Sequence, residues 1–322
     1  MLFQQQQEPE RLHPEPVLAP HLLNMNWRVV LAIVLVGVFG VPMAWAEPAD
    51  SAGCLDQGIG DVEVIESPTL RVATLNIAHG RKDSVNQMLL SGATIRENLL
   101  ELAGLLDRAE ADAIALQEVD AASAWSGDFN HLEYLLEHSG YGCWVHGVHA
   151  NNRLYHFGTA LISPHVFSDS LVHGFRPSRP TTTKGFVIGV LAWNPGGALA
   201  EPLAVRLGSL HLDFSRRSVR RAQIEEVVQV LGGATGPLVL MGDFNTDWHK
   251  KDSSLRELAG RLNLKVFQPD ADGMTTYGKD NARLDWILVS QELDFLRHAV
   301  YPDIVSDHLA VVADIQLSGA AR

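Results

Sequence analysis

Pro237–Asp247 reads P-L-V-L-M-G-D-F-N-T-D, and the rest of the chain can be ordered around it. Pro237 through Met241 is a short apolar run between Gly236 and Gly242, the pattern of a strand buried on both faces. It ends in Asp243 and Asn245, which on an extended backbone project to the same side, at a strand end where loops commonly carry chemistry. A carboxylate and a carboxamide so placed can hold a water or a metal and hydrogen-bond a phosphate oxygen. An Asx turn closing a strand explains the same two residues, and on these eleven residues alone it is the simpler reading.

Working outward, the same grammar recurs. Leu70–Ile77 reads as a strand that stops at Asn76-Ile77-Ala78-His79-Gly80. Thr94 and Glu97 form a capping-box pattern, and Ile95, Leu99, Leu102 and Leu106 follow at helical spacing. A strand at Ala113–Leu116 ends in Gln117-Glu118, and a helix around Leu132–His138 leads to strands at Tyr141–Val148 and Gly158–Ser163. Lys184–Trp193 and Leu203–Leu212 flank Asn194-Pro195-Gly196-Gly197, which predicts an antiparallel pair. Helices at Val219–Leu231 and Leu255–Leu262 and strands at Leu284–Val289 and Leu309–Leu317 complete one α/β-type domain, with sheets covered by helices. No internal repeat interrupts it.

The chain has 322 residues, 46% of them hydrophobic, enough for a full core without metal or disulfide staples. A formal net charge of -13 argues against a broad nucleic-acid-binding surface, although an acidic enzyme can still engage phosphates through a bound cation. Residues 1–24, rich in Gln, Pro and His, read as a disordered leader, with Met25 a candidate natural start. Residues 25–46 read as a signal peptide: Arg28 supplies the n-region cation, Val29–Val41 the apolar segment, and Ala44-Trp45-Ala46 the cleavage site before Glu47. Export to the periplasm or medium is therefore expected, the alternative being an uncleaved membrane anchor. Residues 47–68 read as a linker and 69–318 as the folded domain. Cys54 and Cys143 are the only cysteines, and whether they bridge is left open by the sequence.

Several strands end in carboxylates, amides or imidazoles where neutral turn residues are usual: Asn76, Glu118, His211 with Asp213, then Asp243 and Asn245. Asp285 breaks the apolar strand R-L-D-W-I, and Ser306-Asp307-His308 precedes the last strand. Acidic oxygens without thiols or clustered imidazoles suit a hard cation, Mg²⁺ or Mn²⁺. Taken singly, each has a bland reading as a turn, an edge charge or a core histidine.

As an ordered set, T-L-N-I-A-H-G, L-Q-E-V-D, G-T-A-L-I-S, H-L-D, G-D-F-N, R-L-D-W-I and S-D-H resemble the motifs of the endonuclease/exonuclease/phosphatase superfamily over about residues 70–317. The resemblance implies an α+β (α/β-type) four-layer sandwich, two packed mixed sheets with helices outside, DNase I-like. It implies a phosphoric ester hydrolase in which Glu118, Asn76 and Asp307 hold the Mg²⁺ or Mn²⁺. It further implies that Asp243 orients or deprotonates the attacking water, Asn245 contacts the scissile phosphate, and His308, backed by Asp285, acts with His211 on the phosphoryl oxygens. An imidazole backed by a carboxylate has its tautomer fixed and its cation favoured, so it can donate to phosphate. Thr159 stands where many relatives carry Asn, and Arg153, Tyr155 and His156 are candidates without an aligned role.

Arg216, Arg217, Arg220 and Arg221, with Arg176, Arg179 and Lys184, form either a solvated face or an electropositive rim for a phosphorylated ligand. The expected substrate is a lipid head group or small phosphoester, with a secreted non-specific endonuclease and a catalytically silent binding protein as alternatives. Peripheral membrane contact and a monomeric state are expected, and sequence-specific DNA recognition is not.

Overall fold

The computed structural model describes residues 50–55 and 63–319; the leader and signal peptide expected over 1–46 lie outside the described residues. In chain order the strands are β1 (Ser51–Cys54), β2 (Val64–Ile65), β3 (Leu70–Asn76), β4 (Ala113–Asp120), β5 (Cys143–Asn151), β6 (His156–Ser163), β7 (Asp169–Gly174), β8 (Gly185–Trp193), β9 (Leu203–His211), β10 (Leu238–Asp243), β11 (Lys265–Val266), β12 (Asp285–Val289), β13 (Leu293–Val300) and β14 (Val311–Leu317). The helices are α1 (Gly92–Ala109), α2 (His131–Glu137), α3 (Arg217–Leu231) and α4 (Ser254–Arg261). One seven-stranded sheet runs β1-β5-β6-β4-β3-β14-β13; the other runs β11-β12-β10-β9-β8-β2, with β7 pairing β8.

The period of two along each central strand builds four layers. On β10, Val239 and Met241 point into the core between the sheets, whereas Leu238 and Leu240 pack toward α3 and α4. On β4, Ala113 and Ala115 join the inter-sheet core while Ile114 and Leu116 meet α1 and α2. Both faces are thus dry, which is why Pro237–Met241 reads as an unbroken apolar run. Burying each Val or Leu there contributes about 1.5–3 kcal/mol.

Three features differ from the sequence reading, and a fourth settles what it left open. Helix α1 begins a turn before the Thr94–Glu97 box, because Ser91 is the N-cap and its hydroxyl accepts from the Thr94 N–H at 3.1 Å. The sequence reading lacks strands β7 and β13: β7 is a largely exposed edge, and β13 is a half-buried edge with a register shift between Phe295 and Arg297 that blurs its alternation. Within the stretch read as a linker, β1 pairs antiparallel with β5 and β2 pairs parallel with β8. Cys54 and Cys143 are joined by a disulfide, fastening β1 to the sheet edge.

Candidate active site

Register aligns the reactive residues of the second sheet. Asp243, the last residue of β10, lies opposite Asp285 of β12 on one side and His211 of β9 on the other. Between them the chain can pass only as glycine: Gly242 has φ 144°, and a Cβ there would fall 1.9 Å from the Leu210 carbonyl oxygen. The first sheet contributes Asn76 at the end of β3 and Glu118 near the end of β4. Asp307 and His308 arrive on the segment before β14. Asn76, Glu118, His211, Asp243, Asn245 and His308 share the wall of one cleft of about 900 Å³, to which Asp307 also contributes.

Asp243 is the hub. Its Oδ2 accepts from the Asn76 and Asn245 side-chain amides at 3.0 and 3.1 Å, and the His211 and His308 Nε2 atoms stand 3.5 and 3.9 Å away. Burial, with the nearby Asp285 charge, pushes its carboxyl up to about 7 against the opposing pull of His308. Asn245 is not extended: its φ is 49°, and its backbone N–H donates to Asp243 Oδ1 at 2.9 Å. That left-handed turn reverses the chain and brings the Asn245 amide back onto Asp243. The Asx turn and the chemical pair are the same structure.

His308 Nδ1 donates to Asp285 Oδ2 at 2.8 Å, directly behind it. Burial works against its cation, but Asp285 and then Asp243 outweigh it and hold His308 up to about 10. His211 goes the other way: burial and the neighbouring Lys184 charge keep it well below the ordinary imidazole value, hence neutral. The Thr275–Gly278 loop braces this side. The Thr276 hydroxyl accepts from the Leu284 and Asp285 N–H groups at 3.0 and 3.1 Å, and the Tyr277 ring lies 4.8 Å from that of His308.

Glu118 reaches the cleft through a β-bulge. The pairing of β4 with β6 slips between Gln117 and Val119, and Glu118 takes φ 56°, a strained value that redirects its side chain. One carboxylate oxygen lies 3.5 Å from Lys184 Nζ and 4.0 Å from His211 Nε2; the other lies 3.3 Å from His79 Nε2. Burial raises this carboxyl, but His79 and Lys184 overcome it and hold it well below the usual carboxylate range. Asp307 Oδ2 accepts from Arg81 and Lys279 at 2.7 and 2.8 Å, while its Oδ1 is buried without a protein partner. The Asn76 side-chain oxygen accepts from the Ala78 N–H at 3.0 Å.

Oxygen donors from Glu118, Asn76 and Asp307 line the same cleft, and with a partnerless carboxylate oxygen among them they fit a hard divalent cation. Asp243, Asp285 and His308 form a second acidic and imidazole set whose ligand atoms all lie within 4.8 Å of one another. The sequence reading did not assign His79 or Lys184 to the site. His79 stands inside the first motif, three residues after Asn76, and Lys184 was grouped with the basic stretch.

The basic rim divides. Arg216 donates to the Ser178 and Arg179 carbonyls, Arg217 pairs with Asp252 at 3.0 Å and Arg221 with Glu257 at 3.4 Å. Arg220 donates to the Asp213 carbonyl at 2.8 Å, and its Nε is buried with no partner. Arg217, Arg220, Lys250 and Lys251 line the cleft. Thr159 is buried against His149 at 2.9 Å, and neither it nor Arg153, Tyr155 or His156 lines the cleft.

Solved structures share this architecture. A family protein from Leptotrichia buccalis is 20% identical, with a TM-score of 0.57, covering 77% of this chain and 100% of its own. A mannosyl-6-phosphatase from Bacteroides thetaiotaomicron is 15% identical, with a TM-score of 0.56 and coverages of 76% and 99%. The human Nocturnin catalytic domain with a bound sulfate anion is 18% identical, with a TM-score of 0.54 and coverages of 84% and 98%. No curated protein matches the sequence. The family model described as Endonuclease/Exonuclease/phosphatase family matches residues 73–308, from the first sheet through His308, and the chain belongs to that family of phosphoester hydrolases.

Proposed function

We propose that this protein is an exported, Mg²⁺- or Mn²⁺-dependent hydrolase that cleaves a phosphodiester in a lipid head group or small phosphoester by attack of water. The observation that carries this is Asp243, buried between two amides and two imidazoles, with its carboxyl poised at about 7. A base is most effective when its pKa lies near the working pH. Asp243 takes the proton of the attacking water, and Asn245 and Asn76 keep its carboxylate oriented. His308, cationic through the neutral range, donates to a phosphoryl oxygen as charge develops, and neutral His211 steadies the same region. Glu118, Asn76 and Asp307 hold the cation, which when bound neutralises charge on the phosphoryl oxygens and the departing alkoxide. The disulfide favours an oxidising compartment, in keeping with export.

On the cleft wall the Arg220 side chain makes a single hydrogen bond, to the Asp213 carbonyl, and leaves its buried Nε without a partner, so Arg220→Gln is expected to raise KM about tenfold with kcat nearly unchanged, read by steady-state kinetics. A second reading, a secreted non-specific endonuclease, rests on the run of Arg217, Lys250 and Lys251 along that wall. The test is the full chain with Mg²⁺ or Mn²⁺ assayed in parallel on plasmid DNA, bis-p-nitrophenyl phosphate, p-nitrophenyl phosphate and phospholipid vesicles. Dominant activity on the phospholipid or the small diester supports the first reading; dominant, steeply salt-dependent nicking of plasmid supports the second. Inactivity on all four with metal bound would point to the silent binding protein. N-terminal sequencing of the exported protein should begin at Glu47, and retention of Val29–Val41 would contradict the signal peptide.

A further inference from the structure

Asp120 and His79 take no part in the steps above, yet they are built with unusual care around Glu118. Asp120 is fully buried, and its Oδ1 accepts from Trp125 Nε1 at 2.7 Å and from the Ser126 hydroxyl at 2.9 Å. Its Oδ2 lies 2.6 Å from His79 Nδ1. Because a carboxylate can only accept, Nδ1 carries a hydrogen, and Nε2 is the nitrogen turned toward Glu118. Nε2 stands 3.3 Å from Glu118 Oε2, an ion-pair distance; burial opposes the imidazole's cation but Asp120 and Glu118 raise it above its ordinary value, so a metal bound at Nε2 would displace the proton there.

The imidazole cannot swing away. It is held edge-on between Trp125 and Phe157, with ring centroids 4.9 and 4.7 Å apart. Its backbone is strained as well: Ala78 and His79 have φ of 48° and 55°, left-handed values that non-glycine residues rarely adopt. Gly80 follows at φ 68°, where a Cβ would come within 2.9 Å of Ile95, so the turn is packed onto α1.

A histidine that gives one ring N–H to a buried carboxylate and presents the other nitrogen beside a second carboxylate has the arrangement of a metal-ligating imidazole. Adjacent ligands of an ion with bonds of about 2.0–2.2 Å lie roughly 3 Å apart, close to the spacing of His79 Nε2 and Glu118 Oε2. Lys184 and His211 approach the other oxygen of Glu118, leaving Oε2 for this purpose. We propose that His79, fixed by Asp120, is a direct ligand of the divalent cation alongside Glu118. This rests on the metal dependence in the proposed function. An imidazole among the ligands favours Mn²⁺ over Mg²⁺, unlike an all-oxygen set.

The test titrates Mn²⁺ alone into the full chain and records pulsed electron paramagnetic resonance of the bound ion. Wild type should show the ¹⁴N coupling of a directly bonded imidazole, and His211→Gln should retain it. His79→Gln should lose it and bind Mn²⁺ about tenfold or more weakly by calorimetry. Bound Mn²⁺ without ¹⁴N coupling in wild type overturns the proposal whether or not the variant folds, as does unchanged coupling in a folded His79→Gln. Failure of wild type to bind Mn²⁺ at all would overturn the metal-dependent reading itself, and this ligand assignment with it.

Discussion

Replacing Asp243 with Asn is expected to lower kcat for phosphoester hydrolysis by about 10²–10⁴-fold while leaving KM within a few-fold. The substitution keeps the size of the side chain and removes its ability to take a proton. It also disturbs the local bonding, because Oδ2 now accepts from both Asn76 and Asn245, and an amide nitrogen turned there would meet two donors. The pH profile separates these effects. With Asp243 held up to about 7, its protonated form is inactive, so wild-type kcat/KM should rise with pH through about 7. The residual activity of Asp243→Asn should lack that limb.

His308→Ala is expected to cost about 10²–10³-fold in kcat, the scale for losing one donor aimed at developing phosphoryl charge. It should also cost about 3–5 kcal/mol of stability, since the Asp285 carboxylate would be left buried without its cation. Assays below the melting transition and the gentler Asp285→Asn variant keep the two losses apart. A histidine raised from its ordinary 6.5 to about 10 contributes stability that is full below 6.5 and is lost as pH rises through 10. Activity that needs the imidazolium falls over the upper part of the same range. In Asp285→Asn the main force raising His308 is gone, so the falling limb of kcat/KM should move to lower pH.

Much of this site is legible in the sequence because sheets make distant residues commensurate. Asp243, His211 and Asp285 sit on three adjacent strands in matched register, so each appears as a polar interruption where an apolar run should continue. The central strands are legible for the same reason: with both faces covered they read as unbroken Val, Leu and Ile. Strands β7 and β13 escape because an edge strand needs no such pattern. What the sequence withholds is set by tertiary packing. The bulge that aims Glu118 depends on pairing with β6, and no local residue announces it. His79 looks like one more residue of a loop until Asp120, Trp125 and Phe157 close around it. The four clustered arginines look equivalent, and only their partners single out Arg220.

Hydrolysis by this protein should require both a divalent cation and Asp243. The most direct measurement is therefore the rate of phosphoester hydrolysis by the full chain, with the substrate that proves best, before and after chelation and on restoring Mg²⁺ or Mn²⁺. Wild type should lose activity with chelator and regain it with metal, and Asp243→Asn should stay nearly inactive in both. Hydrolysis indifferent to chelator, or undiminished in a folded Asp243→Asn, would contradict this requirement.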